Sequence, residues 1–385
     1  MSQCDEKKPE CNNCHLHSIQ CDFQTPSRSP SESSNTPRRY QFRQSKYSQP
    51  LANVRNESSR SVGVQCTSPS LLPGDLNVGP SDGISLQDLY LFHHFILSTS
   101  QTFADERTDE HKVWQIHVPQ WGLSFRSILH LLLTLSALHL AWSVPDQRGE
   151  YIRKADEHFT FGVRSVTTVL ALHTLDSENC QQIYMAAVMI CFAYFARGPR
   201  EGEYLVFSQR GQSEWLVLLH GVRSILHQKQ AQIFTGVLET KQQDTGSPDP
   251  ELQAELSQHI QRLQEVGAMV GNDVGEDREV YIHTINDLIH CFEEARQTYS
   301  PGSSPTMLMP FAMGWTFRLR GLMIERLENR EPIALVILAH WAILLRYMRE
   351  VWFMQGWDRH IILGIRACLP EAYYAWIEWP EEVIG

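Results

Sequence analysis

The stretch ILHLLLTLSALHLAW, residues 128–142, decides the fold. Leucine recurs at 129, 131, 132, 133, 135, 138 and 140, so apolar side chains fall on every side of a 3.6-residue helix. A helix of that kind must be enclosed by other protein. It is shorter than the roughly 18 unbroken apolar residues of a membrane span, and His130 and His139 interrupt it. His139 therefore reads as a hydrogen-bonded core histidine, and so does His340 on a second strongly apolar helix.

Working outward, the same period recurs. Residues 180–196, CQQIYMAAVMICFAYFA, form another buried helix, stopped by Gly198-Pro199. Ser85 caps a first helix with Asp88 as its capping-box partner. Leu86, Leu89, Phe92, Phe95 and Ile96 share one face of it. Residues 151–175 and 276–299 are amphipathic, residues 211–227 form a further element, and Pro332 opens a helix over 333–348. Residues 241–255, with Gly246, Pro248 and Pro250, read as an exposed loop. VWQIHV at 113–118 has strand character but no partner strand. The fold class is all-α: antiparallel helix pairs over residues 86–385.

Upstream the chain changes character. Ser and Pro make up 21 of the 62 residues at 24–85, too polar a mixture to offset the entropy of ordering, so this reads as a disordered linker. Arg38, Arg39, Arg43 and Lys46 form a loose basic cluster in it, a solvated tether first and a phosphate-backbone or nuclear-import element second. The net charge of −11 is uneven, with +3 on residues 1–60 and −14 on the rest. A basic head on an acidic body fits a DNA-facing end joined to a body that stays off DNA. The N-terminus lacks the apolar core of a signal peptide, and no segment reaches the length of a membrane span. Nine cysteines, an odd number, point to a reducing compartment.

Four of those cysteines, Cys4, Cys11, Cys14 and Cys21, crowd residues 1–23 in the spacing C-x6-C-x2-C-x6-C. The surrounding residues offer almost nothing apolar to bury, so a soft metal, zinc above all, is the expected organiser. Four thiolates close one tetrahedral zinc, and His17 is a further candidate ligand.

The segment CDEKKPECNNCHLHSIQCDF resembles the second half of the binuclear zinc cluster of fungal transcription factors, in which six cysteines hold two zinc ions. The resemblance makes Cys4 to Cys21 the third to sixth cysteines, with Pro9 at the turn between halves. It implies that Cys11 bridges, that Cys4 sits on one zinc, and that Cys14 and Cys21 sit on the other. The pattern's first C-x2-C and the basic run after it, which carries most DNA contacts, have no counterpart after Met1. Either they lie upstream of Met1, or the chain is a truncated ligand- or partner-binding protein without DNA-binding activity. The body also resembles the regulatory domain of this family, with the branch of sterol uptake control proteins nearest. The resembling stretches are Glu214-Trp215-Leu216 leading to Gly221-Val222-Arg223, residues 330–345, Trp352 with Gly356-Trp357, and Trp376-Ile377-Glu378-Trp379-Pro380. This likeness implies a nuclear regulator of RNA polymerase II transcription. It also implies zinc as cofactor, DNA and co-regulators as partners, and an apolar pocket for a sterol or similar small molecule.

Other chemistry finds little support. Asp109-Glu110-His111 and Asp156-Glu157-His158 look like catalytic trios, but neighbours on a helix point in different directions. Zincin, phosphate-loop and nucleophile-elbow patterns do not occur, so an enzyme is not expected. Trp341, Trp352, Trp357, Trp376 and Trp379 line a pocket or, more simply, pack a core, and Met307, Met309, Met313 and Met323 read as gap-fillers.

Overall fold

The computed structural model describes residues 85–103, 111–171, 179–209, 211–239, 250–271, 277–299 and 304–385. All fall in one compact unit of the chain. The expected all-α class is borne out. Among the described residues the backbone is helical, apart from loops that carry two isolated bridges, Arg200 with Glu203 and Glu203 with Ser208. None of these helices is long and apolar enough to cross a membrane.

Helix α1 (Leu86–His94) starts at Ser85, whose hydroxyl accepts the Asp88 N–H while the Asp88 carboxylate accepts the Ser85 N–H. It runs on through a wide turn at Phe95–Thr99. A similar wide turn, Val113–His117, leads into α2 (Val118–Ser124), so the strand-like run VWQIHV is helical. Short runs of β-branched and aromatic residues do not separate the two states, and no neighbouring strand is present among the described residues to pair with it.

α3 (Arg126–Ser143) contains the opening stretch and sits at the centre of the first half. It packs on α4 (Arg148–Ala171) as a hairpin and also against α1, α2 and α5 (Cys180–Ala196). Gly162 of α4 allows close approach: a Cβ there would lie 2.8 Å from Leu131 Cγ. α5 stops where the sequence suggests, with Gly198 in the left-handed region at φ 81°.

α6 (Glu214–Ile233) is longer than the element expected at 211–227 and is capped by the Ser213 hydroxyl. α7 (Pro250–Gly271) and α8 (Arg278–Thr298) form a second hairpin. Residues 250–255 are thus helical rather than part of an exposed loop, whose remaining residues 241–249 lie outside the described ones. Pro250 occupies the first helical position, where a missing N–H costs nothing, and Glu251 faces the positive helix end. After α9 (Met309–Arg318) and α10 (Gly321–Glu328) comes α11 (Pro332–Arg346), buried at every residue from Ala334 to Leu345. α12 (Trp357–Cys368) and α13 (Glu378–Ile384) cover it from one side, α7 to α10 from the others.

One continuous apolar core joins α3 to α11, and a smaller cluster of Cys180, Ile183, Ala187, Ile225 and Ile233 seals α5 against α6. Each fully buried leucine in this core stabilises by about 1.5–3 kcal/mol.

The apolar residues of α1 do not share one environment. Leu86 and Leu89 are 84% and 55% exposed, whereas Asp88, Leu91 and Phe95 face inward. Spacing alone permits either face. The inward one is fixed by hydrogen bonds to α3 and α4, which apolar counting along α1 does not register.

Candidate functional site

Cys4, Cys11, Cys14 and Cys21 lie outside the described residues, as do the linker and its basic cluster. As a donor set, four closely spaced thiolates suit a soft metal. Among the described residues no group of three or more His, Cys, Asp or Glu side chains is arranged to hold a metal ion. Cys180 and Cys291 are buried, and burial raises the thiols of Cys191 and Cys291 to about 12 and 11, so Cys191 and Cys291 are inert packing groups.

The most concentrated polar chemistry in the body lies under α1. His158 of α4 sets Nε2 3.1 Å from Asp88 Oδ1 and Nδ1 3.1 Å from Nδ1 of His130 on α3. A neutral His158 donates through Nε2 to the carboxylate and accepts from His130. Burial pushes His158 below the usual histidine range against the opposing pull of Asp88. Burial by itself would raise Asp88, but the Ser85 N–H and hydroxyl together with His158 hold its carboxyl below the usual range. Further along α1 and α3, His139 Nδ1 lies 3.1 Å from both His94 Nε2 and Thr99 Oγ1. Burial and the neighbouring His94 bring His139 to about 4. The Ser136 hydroxyl completes the seam by donating to the Leu91 carbonyl at 2.6 Å. His139 is the hydrogen-bonded core histidine the sequence suggested.

The apparent trio at 156–158 diverges. Asp156 pairs with Arg197 at 2.8 Å, Glu157 with Arg153 at 2.6 Å, and His158 with Asp88. Asp109 and Glu110 lie outside the described residues.

The tryptophan-rich end is packed rather than open. Trp341 and Trp357 are wholly buried, and their indole N–H groups donate to the Ala312 and Phe195 carbonyls at 2.9 and 3.1 Å. Trp352 donates to Thr102 Oγ1 at 2.9 Å and joins an aromatic group with Phe103 and Phe353. Trp376 and Trp379 are partly buried against the core. Met323 is wholly buried, and Met309 and Met313 pack on the core, consistent with gap-filling.

Between α5 and α6 the loop also turns inward, burying Leu205, Val206 and Phe207 completely. Leu205 sits in the left-handed region at φ 63°, a conformation costing about 1 kcal/mol or more. Tyr204 stacks on Phe207 and His360 and lies where α12 has Gly364; a Cβ there would come 2.1 Å from the ring. No residue pattern in the sequence announces this loop.

Two more polar fixtures were not legible. Trp379 N–H donates to His259 Nδ1 at 3.0 Å; His259 Nε2 lies 2.9 Å from the Tyr347 hydroxyl, which donates to Glu255. This chain ties α13 and the end of α11 to α7, and burial lowers His259 to about 4. Arg223, singled out only as part of a motif, donates to the Thr316, Phe317 and Leu319 carbonyls and so closes the C-terminal end of α9. His340 sets Nε2 3.1 Å from the Trp376 carbonyl, and burial brings it to about 4.

Comparison with known proteins places this helical body. Residues 90–258 match the fungal specific transcription factor domain, from within α1 to the first turns of α7. The Zn(2)-C6 fungal-type transcription factor afumD of Aspergillus fumigatus is 26% identical over 57% of the chain, and the aligned part spans about half (49%) of that relative. A Zn(2)-C6 fungal-type transcription factor of Gibberella zeae is 22% identical over 98% of the chain and 82% of the relative. The orsellinic acid/F9775 biosynthesis cluster protein D of Emericella nidulans is 24% identical over 76% of the chain and 60% of the relative. The likeness is to fungal Zn(2)-C6 transcription factors, and the matched family is one of transcription factors, not enzymes.

Proposed function

We propose that the chain is a nuclear, zinc-dependent regulator of RNA polymerase II transcription that acts on the genes of a specialised biosynthetic pathway. One observation carries this reading. A fungal transcription factor domain matches residues 90–258 of the helical body, in a chain whose first 23 residues hold four cysteines in zinc-cluster spacing. In this reading Cys4, Cys11, Cys14 and Cys21 hold zinc, residues 24–85 tether that head, and residues 86–385 form the regulatory body. The name of the Emericella nidulans relative favours a biosynthetic cluster over sterol supply as the target class.

The body acts as the responsive part. A small apolar molecule, a sterol or a pathway product, or a protein co-regulator that binds one arrangement of the helices more tightly shifts the balance between silent and active forms. A sterol that binds the body raises its unfolding midpoint at saturating concentration; an unchanged midpoint removes sterols from the account.

Deleting the coding sequence and profiling transcripts tests the reading as a whole. Coordinate loss of a contiguous set of biosynthetic transcripts, restored by the intact gene but not by a Cys11→Ser, Cys14→Ser form, is the expected result. An unchanged transcript profile contradicts it.

A further inference from the structure

α1 is mounted with a polar side inward and an apolar side outward. Leu86, Leu89, Tyr90 and Leu97 are each at least half exposed, and His93 is exposed among them. Leu86, Tyr90, His93 and Leu97 follow one another at steps of four, three and four residues. That alternation is the seam of a paired helix, and it draws one narrow stripe along α1 and the wide turn after it. The stripe carries no formal charge. Asp88, the one charged residue of the segment, is buried on the opposite side in its bonds to Ser85 and His158. Those bonds, with Gln87 donating to Glu150 of α4 at 3.1 Å, pin the helix and leave its outer surface preorganised.

We propose that this stripe is a self-association surface, on which α1 of a second copy of the chain lies antiparallel. The stripe's symmetry selects that occupant. Residues 86 and 97 lie equally far from a point between Leu91 and Phe92, and so do residues 90 and 93. A two-fold axis through that point sets Leu86 against Leu97 of the partner subunit and Tyr90 against His93 of the partner subunit, twice over. Leucine then meets leucine, and a phenol hydroxyl meets an imidazole nitrogen that can bond it. A parallel pairing would instead stack like on like, Tyr90 on Tyr90 of the partner subunit.

Shape and charge agree with the symmetry. Leu86, Leu89, Tyr90 and His93 surround a shallow hollow. Positions i, i+3, i+4 and i+7 form the four-cornered hole that receives one knob from a facing helix. Under the same two-fold axis that knob is His93 of the partner subunit. Two copies of a chain with net charge −11 repel each other, so they meet most favourably where no charge is buried, as on this stripe. The surface is small, a few side chains from each copy, and sets an affinity on the order of micromolar. This inference depends neither on the zinc reading nor on the target genes.

Sedimentation velocity of the full chain from about 1 to 100 µM brackets that affinity and should show a monomer passing to a dimer. Two charged pairs at the exposed ends of the stripe then test the pairing. In Leu86→Lys with Leu97→Lys, each lysine meets a lysine of the second copy, and the dimer should be lost across the whole range. In Leu86→Lys with Leu97→Glu, each lysine meets a glutamate, and association should exceed that of the first variant by at least about tenfold. Both leucines are more than half exposed, so the fold is kept, and circular dichroism of each variant should match the parent. A parent chain that stays monomeric overturns the proposal, as does a dimer that survives the Lys/Lys change. A Lys/Glu variant no better than Lys/Lys overturns it too, because a parallel pairing brings like charges together in both.

Discussion

α3 and α11 both have sequences that demand burial, and they are buried differently. α11 is sealed by apolar neighbours, with His340 its one buried polar residue between Ala334 and Leu345. α3 buries Ser127, Thr134, Ser136 and His139 beside its leucines. The difference comes from their neighbours. α11 meets tryptophans and aliphatics of α9, α12 and α13, whereas α3 supports α1, whose inward side presents Asp88 and backbone carbonyls. A dry helix is held by volume, and its stability tracks how well space is filled. A helix with a polar seam is held at particular points, where an unmatched partner costs more than the bond contributes.

Acid breaks both arrangements and has the largest expected effect. His139, His259 and His340 each lie at about 4 in the folded chain against about 6.5 unfolded. Between pH 6.5 and 4 the unfolded chain therefore binds protons the folded one does not, so stability falls as pH falls. Each histidine contributes on the order of 2–3 kcal/mol to this loss by pH 4. Chemical denaturation at a series of pH values measures it, and a flat profile from pH 7 to 4.5 contradicts the buried-neutral assignment.

Trp341→Ala, in the dry helix, should cost about 3–5 kcal/mol, because it empties a wholly buried site and frees the Ala312 carbonyl. Asp88→Ala, in the seam, should cost about 1–3 kcal/mol through loss of the capping-box bond from the Ser85 N–H and the unpairing of His158. Its signature is local: hydrogen exchange accelerates in α1 while α11 keeps its protection. Equal acceleration in both would dissolve the distinction between the two helices. Leu322→Ala, at a side chain 54% exposed, serves as the control and should change stability by less than about 0.5 kcal/mol.

The same contrast explains what the sequence revealed. Burial of α3, α5 and α11 is written in their apolar composition, and the Ser85 cap and the Gly198 stop are local chemistry. The inward face of α1 is not, because it depends on His130 and His158, 42 and 70 residues downstream of Asp88. The inward loop with Leu205 at positive φ depends on Gly364 of α12 being bare, a long-range coincidence with no local signature. The spacing of Cys4, Cys11, Cys14 and Cys21 is the opposite case. All of its information is local, so it is plain in the sequence although the structure describes none of it.

Cobalt substitution tests the zinc-regulator account most directly. The full chain reconstituted with cobalt should show a sulfur-to-metal charge-transfer band that disappears when Cys4, Cys11, Cys14 and Cys21 are replaced by serine and survives replacement of Cys180, Cys191, Cys291 and Cys368. No such band, or one that persists without the first four cysteines, would contradict the account.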